Sequence, residues 1–411
     1  MFRSFSTALS ALNAFSTGVD VVGNNLANVN TTGYKTSTVA FHDLVTQSMG
    51  AGFGETQAGF GVGRTTAIRQ FAQGAVQSSS GPLDVGIQGD GFLVVKTDQN
   101  ATLYTRDGHI NVDSSGTLRT ALGDRIQGWM EVDGKLTTTG PASDMIVPVG
   151  VVRPPLPTKT FSIDANLNST APEGTTFTKS LEVYDSLGAA HVVTVTLTRS
   201  AEVNKWDYSI SIPDEDVETP IDPVEGTLVF NADGKLEEPT VDDDAPTLEI
   251  DGLINGASPL TLSWSLFNGT TARITQFAQA SAISANAQDG LPAAQLIRVG
   301  IVDGGLVLAQ YSNGEQSVIG QLAMASIRNP ESLIAVGTNN YQLSAHTALP
   351  AIGVAGTGGR GKIIGGSLES STVDIAREFT DLIVLQRGYQ ANAKVITTVD
   401  EMSQDTLNLK R

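Results

Sequence analysis

Cysteine is absent from the 411 residues, which excludes a disulfide framework, thiolate catalysis and cysteine-ligated metal. Only four histidines occur, His42, His109, His191 and His346, and no two of them sit one helical turn apart as a zinc pair requires. Basic residues are few: 25 Lys and Arg stand against 43 Asp and Glu, for a net charge of −18. Nucleic acid and anionic lipid attract proteins mainly through Lys and Arg, so neither is an expected partner. No apolar run approaches the roughly 18 residues of a membrane span, and membrane insertion is not expected. A lone Arg3 ahead of a stretch broken by Ser, Thr and Asn is no cleavable signal peptide, which leaves the cytosol or a non-standard export route. A chain without cysteine also suits export in an unfolded state.

What is present is glycine, 43 residues of it, with 40% hydrophobic and only 6% aromatic residues. That composition fits a turn-rich β protein, long enough for roughly two to four domains. The charge is uneven. Residues 149–285 hold 20 acidic and 7 basic side chains, while the first sixty residues hold 3 and 2. A solvated, mutually repelling outer surface is the plain reading of the acidic middle.

Both ends of the chain carry helical periodicity. Phe5, Ala8, Leu12, Phe15, Val19, Val22, Leu26 and Val29 alternate by three and four, which predicts a coiled-coil seam over residues 1–30. Asn30, Thr31, Thr32 and Gly33 then mark a helix end and turn. Ile375, Leu382, Tyr389 and Ile396 are spaced by sevens, with Phe379, Leu385, Ala393, Val399 and Met402 widening the stripe, so Thr372 to about Leu409 reads as a second amphipathic helix. Two long helices at opposite ends suggest that they pair. They would close one globular fold or pack with termini from other copies.

Between them the code is β. Six glycines fall between 50 and 63 in a connector, and residues 76–148 hold short apolar runs closed by turns at Asp107-Gly108, Ser115-Gly116 and Asp133-Gly134, as antiparallel hairpins require. Pro154, Pro155 and Pro157 make a stiff boundary. Beyond it, His191–Thr198, Trp206–Ile212, 227–231 and 260–266 predict a second β domain, a barrel or a sandwich. After Gly290 the earlier style resumes with 298–302, 306–310 and 318–327. The fold expected is α+β and multidomain, with paired terminal coiled-coil-like helices enclosing nested all-β domains: a helical core of 1–30 and 367–411, a connector of 31–75, an inner domain of 76–148 and 286–366, and an outer domain of 149–285.

Chemistry is thinly represented. Gly356–Lys362 has the outline of a phosphate-cradling loop, but Ile363 stands where a magnesium-binding hydroxyl belongs, and Gly365-Gly366 interrupts the helix that should follow. The acidic runs 214–216 and 242–244 lack the alternate-residue pattern of a calcium loop. No serine sits in a nucleophile elbow. An enzyme is not expected, and no catalytic, cofactor or metal residue is assigned.

The segments Asn24–Lys35, Leu83–Phe92, Tyr104–Gly108, Gly366–Ser371 and Gln386–Lys394 resemble signatures of the bacterial flagellar rod and hook axial proteins, and together they bracket nearly the whole chain. Leu181–His191 is similar to a stretch of the outer domain carried by hook members, so a hook subunit is expected and a distal rod subunit is the alternative. Thr372, where Asn is frequent, and Gly388, where Ala is usual, depart from the pattern. The resemblance implies a self-polymerising subunit of a curved tube that carries torque to the filament and encloses the export channel, located in the flagellum outside the cell. It further implies, as partners, further copies of the chain, the distal rod protein, the hook cap, the hook–filament junction protein and the type III export apparatus. Phe5, Leu12, Phe15, Val19, Val22 and Leu26 are expected to form the tube core against Phe379, Leu382, Tyr389 and Ile396. Asn25, Asn28, Thr32, Gly33, Tyr34, Gln386, Arg387 and Asn392 are the motif residues of interest.

Overall fold

A computed structural model describes residues 2–44, 47–49, 56–132 and 134–408. Part of the glycine-rich connector, Asp133 of one expected turn and the chain beyond Asn408 lie outside the described residues. The architecture is mostly β, with one long helix near each end: α1, Phe2–Ala27, and α2, Ile375–Asn408. Asp374 starts α2, because its Oδ1 accepts the amides of Ala376 and Arg377 at 3.0 and 3.2 Å and so satisfies donors that have no partner within the helix. The chain divides into two compact units, one of residues 1–149, 298–309 and 316–411, the other of 150–297 and 310–315.

In the first unit the helices run antiparallel. Asn25 meets Glu378, Gly18 lies under Leu385, and Gly388 lies under the Phe15 ring, so the partner's number rises as that on α1 falls. The face that α1 buries is Ala8, Ala11, Ala14, Gly18, Val22 and Asn25. This is displaced by about one position from the seam expected through Leu12, Phe15, Val19 and Leu26, with Ala8 and Val22 common to both. Small residues account for the difference. They let one backbone come close enough for a side chain of the other helix to fill the gap, as Leu385 does over Gly18 and Phe15 over Gly388.

The β part of this unit is built on Phe92–Lys96, which pairs antiparallel with Thr102–Thr105, with Arg125–Val132 and with Met324–Ser326. Phe92, Tyr104, Trp129, Ala323, Ala325 and Tyr341 form its core. Phe71 packs edge-on against Phe92 and Tyr341. Two further ribbons join distant sequence: Val76–Ser78 pairs with Ser367–Glu369, and Val85–Gln88 with Lys362–Gly365. The glycine-rich turn 356–361 therefore leads into a strand, and no helix N-terminus is offered to a phosphate there.

The second unit holds two five-stranded sheets. One runs Thr176–Tyr184, Ala190–Arg199, Lys205–Ser211, Val224–Phe230 and Leu236–Glu238 in chain order. The other places Thr160–Asn168 centrally, between Leu260–Trp264 and Ile274–Phe277, with Thr247–Ile250 at one edge and Ala282–Gln288 also paired to the central strand. Alternate residues point into a shared core that contains Phe161, Val193, Trp206, Leu228, Ile250 and Trp264. The period-two pattern read from 191–198 is real: along Ala190–Arg199 His191, Val193, Val195 and Leu197 are buried and Val192 is exposed. The expected boundary at 285 falls inside the strand Ala282–Gln288, which pairs with Thr160–Asn168, and this unit runs on to Ile297.

Candidate functional site

The helix pair and the strand ribbons beneath it bring the separated motifs together. Gly33 sits at φ +69°, a backbone region that glycine enters without cost. A Cβ there would lie 2.6 Å from the Arg106 carbonyl. The turn sends Tyr34 and Lys35 inward, with Gly33 N donating to the Glu369 carbonyl at 2.8 Å.

Lys35 is fully buried. Its Nζ donates to Glu369 Oε1 at 2.6 Å and to the Ala72 carbonyl at 2.6 Å. Glu369, also fully buried, accepts from Gln73 Nε2 at 2.9 Å and from the Gly74 amide at 2.8 Å, while its Oε2 meets Arg106 Nη1 at 3.2 Å. Arg106 also donates to the Gly89 carbonyl and stacks over Phe92. One carboxylate thus serves two buried cations, and burial lowers the Lys35 pKa against the opposing pull of Glu369. Lys35, Arg106 and Glu369 come from three different motifs. The sequence alone gives none of them a role: Lys35 and Glu369 are each the one charged residue of their motif, whereas Arg106 stands next to Asp107.

A second polar link crosses the helix pair. Asn25, 1% exposed, donates to Glu378 Oε1 at 3.0 Å and to the Ser37 carbonyl at 2.9 Å, and its Oδ1 accepts from Tyr34 Oη and the Ser37 amide. Burial raises the Glu378 pKa, countered in part by the Asn25 hydrogen bond. Thr372, the departure from the family pattern, receives the Thr36 amide on its Oγ1 at 3.0 Å and donates its own amide to the Tyr34 carbonyl.

The expected tube-core residues divide by size. Val22 is buried, whereas Leu12, Phe15, Val19, Leu26, Leu382 and Ile396 are half-buried. Phe5, Phe379 and Tyr389 are exposed at 41%, 52% and 44%, together with Leu9, Ile383, Val384 and Met402. The single chain therefore sets small residues at its own helix contact, with Phe15 and Leu385 filling in over Gly388 and Gly18, and leaves Phe5, Phe379 and Tyr389 outward. Of the motif residues, Asn28 donates to the Asn24 carbonyl at 2.8 Å, the Thr32 carbonyl accepts from Asn339, and Asn392 donates to the Gly388 carbonyl. Gln386 and Arg387 are exposed. Among the described residues, no group of three or more His, Asp or Glu is arranged to hold a metal ion, and no helix is long and apolar enough to cross a membrane.

Comparison with known proteins covers both ends of the chain and the β regions between them. Residues 5–35 match the flagella basal body rod protein family, 86–222 the flagellar hook protein FlgE/F/G D1 domain, 155–291 the flagellar basal body protein FlaE D2 domain, and 364–409 the flagellar basal body rod FlgEFG protein C-terminal domain. The chain is 34% identical to the flagellar hook protein FlgE of Treponema pallidum over 464 residues, covering 100% of both chains. It is 31% identical to that of Escherichia coli, covering 99% of this chain and 100% of the other. The crystal structure of Helicobacter pylori flagellar hook protein FlgE2 shares the fold, with a TM-score of 0.53 at 15% identity over 72% of this chain and 100% of that one. The family matches and the end-to-end similarity show that the chain belongs to the bacterial flagellar hook protein family, a family of structural subunits and not of enzymes.

Proposed function

We propose that copies of this chain polymerise through the helix pair into the curved, flexible hook tube that carries torque from rod to filament and encloses the export channel. The observation that carries this reading is the exposed apolar face: Phe5, Phe379, Ile383 and Tyr389 remain in water after the chain has made its own helix contact. Covering a large apolar side chain stabilises by roughly 1.5–3 kcal/mol, so several of them per copy drive association. Contacts between identical copies that do not close on themselves build a helical tube. In the tube, Phe5, Leu12, Phe15, Val19, Val22 and Leu26 of one copy form a coiled-coil-like seam with Phe379, Leu382, Tyr389 and Ile396 of its own and neighbouring α2 helices.

In this reading the terminal helices form the tube wall, and the acidity of 149–285 suits that segment to a solvent-facing surface. Bending is slip between copies of the inner β domain, with the proline link at 154–157 and the glycine-rich 353–366 as hinges. Further partners are the distal rod protein, the hook cap and the junction protein, and the type III apparatus exports the chain to the cell exterior. Electron microscopy of concentrated protein tests the reading: the wild-type chain gives helical tubes, and Phe379→Asp, which changes an exposed position, gives none while its dilute circular dichroism is unchanged. Tubes from Phe379→Asp at the wild-type concentration would overturn the assigned surface.

A further inference from the structure

Arg69 ends the strand Thr66–Arg69 opposite Ser37. Its guanidinium lies 5.2 Å over the Tyr341 ring, and its Nε is buried without a hydrogen-bond partner. It lines a cleft of about 430 Å³ that opens beside the last turns of α1, next to Asn24, Asn28 and Tyr34. The polar groups around it are already engaged: Asn24 donates to Tyr34 Oη, Asn28 to Asn24, Asn339 to the Thr32 carbonyl and Asn340 to Asp124. Asp107 also lines the cleft, but its Oδ1 takes the His109 amide, and burial raises its pKa. Among the described residues no carboxylate pairs with Arg69, although Lys35, Arg106, Arg119, Arg125, Arg153 and Arg273 each have one.

A planar guanidinium held against an aromatic face, on a residue that lines a cleft, matches a carboxylate. The complement is present on the same chain. Asp381, Asp400, Glu401 and Asp405 are exposed along α2, and no ion pair engages them among the described residues. We infer that the Arg69 cleft receives a carboxylate from α2 of a second copy, so that one ion pair fixes the register between neighbouring subunits. Cation–π contact with Tyr341 keeps the guanidinium in place before the partner arrives, which lowers the ordering cost of forming the pair. This inference rests on the assembly reading above.

The test uses the full chain. Arg69→Gln is expected to raise the critical concentration for tube formation on the order of tenfold and to weaken its dependence on NaCl, with the far-UV circular dichroism of the dilute monomer unchanged. Arg69→Lys supplies an amine for carbodiimide coupling, and peptide mass spectrometry of tubes is expected to find a new intermolecular amide to an α2 carboxylate that is missing from dilute monomer. Wild-type tubes together with an unchanged Arg69→Gln critical concentration overturn the inference alone. Coupling confined to one chain, or to a peptide outside α2, does the same. A wild-type chain that forms no tubes overturns the assembly reading, and this inference with it.

Discussion

Removing the carboxylate of Glu369 is the sharpest perturbation of the buried clasp formed by Lys35, Glu369 and Arg106. Among the described residues Glu369 is the sole carboxylate within ion-pair distance of Lys35 and Arg106, and all three are buried. Glu369→Gln keeps the shape and one accepting oxygen but leaves two buried cations without a counter-charge. Breaking a buried pair by removing one partner costs about 3–5 kcal/mol, against a total of about 5–15 kcal/mol for a folded domain. For a unit of this size each kcal/mol lowers Tm by roughly 2–4 °C, which places the expected drop at about 6–20 °C. Lys35→Met is expected to cost less, because Arg106 still neutralises Glu369 and the burial that lowers the Lys35 pKa no longer opposes a charge. The assay is calorimetry of dilute monomer, in which the melting of residues 150–297 serves as an internal control, since that unit contains none of the three residues. Should Lys35→Met destabilise as much as Glu369→Gln, hydrogen-bond count and not charge balance governs the clasp, and the reasoning is refuted.

Glu378 offers a pH test. Its pKa is raised by burial, so the folded state holds the proton more tightly than the unfolded state. Its contribution favours folding below the ordinary carboxyl range and is lost as pH climbs through the raised value. Glu378→Gln, which can still accept from Asn25, is therefore expected to raise Tm at about pH 8 and to leave it unchanged at about pH 3, where the native carboxyl is already protonated. A larger gain in acid than in base contradicts this. Gly108, in the Tyr104–Gly108 motif, has no room for a side chain: a Cβ would lie 1.6 Å from the Val85 carbonyl, beside the 2.9 Å bond from the Val85 amide to the Gly108 carbonyl. Gly108→Ala is expected to displace the Val85–Gln88 ribbon and to cost about 1–3 kcal/mol or more, measured by urea unfolding. A cost below about 0.5 kcal/mol would mean that the two segments separate easily.

Local order was legible in the chain because it is written at short range. Helical spacing located α1 and α2 to within a few residues, and alternation located the strands of the acidic unit, since burial on one face imposes those periods wherever the segment packs. The motifs gave the family. Which face of α1 turns inward was decided by tertiary packing: periodicity favours the largest apolar residues, whereas close approach of two backbones selects Ala8, Ala11, Ala14 and Gly18 and leaves Phe5, Phe379 and Tyr389 outside. The same holds for charge. Lys35 and Glu369 lie 334 positions apart, and each alone reads as an ordinary solvated residue. Only the ribbons that bring Ser367–Glu369 beside Val76–Ser78 bury them together, and only the folded chain sets Arg69 against Tyr341 with no carboxylate paired to it among the described residues. Contacts between residues far apart in the chain are set by how faces fit, which a linear pattern does not encode.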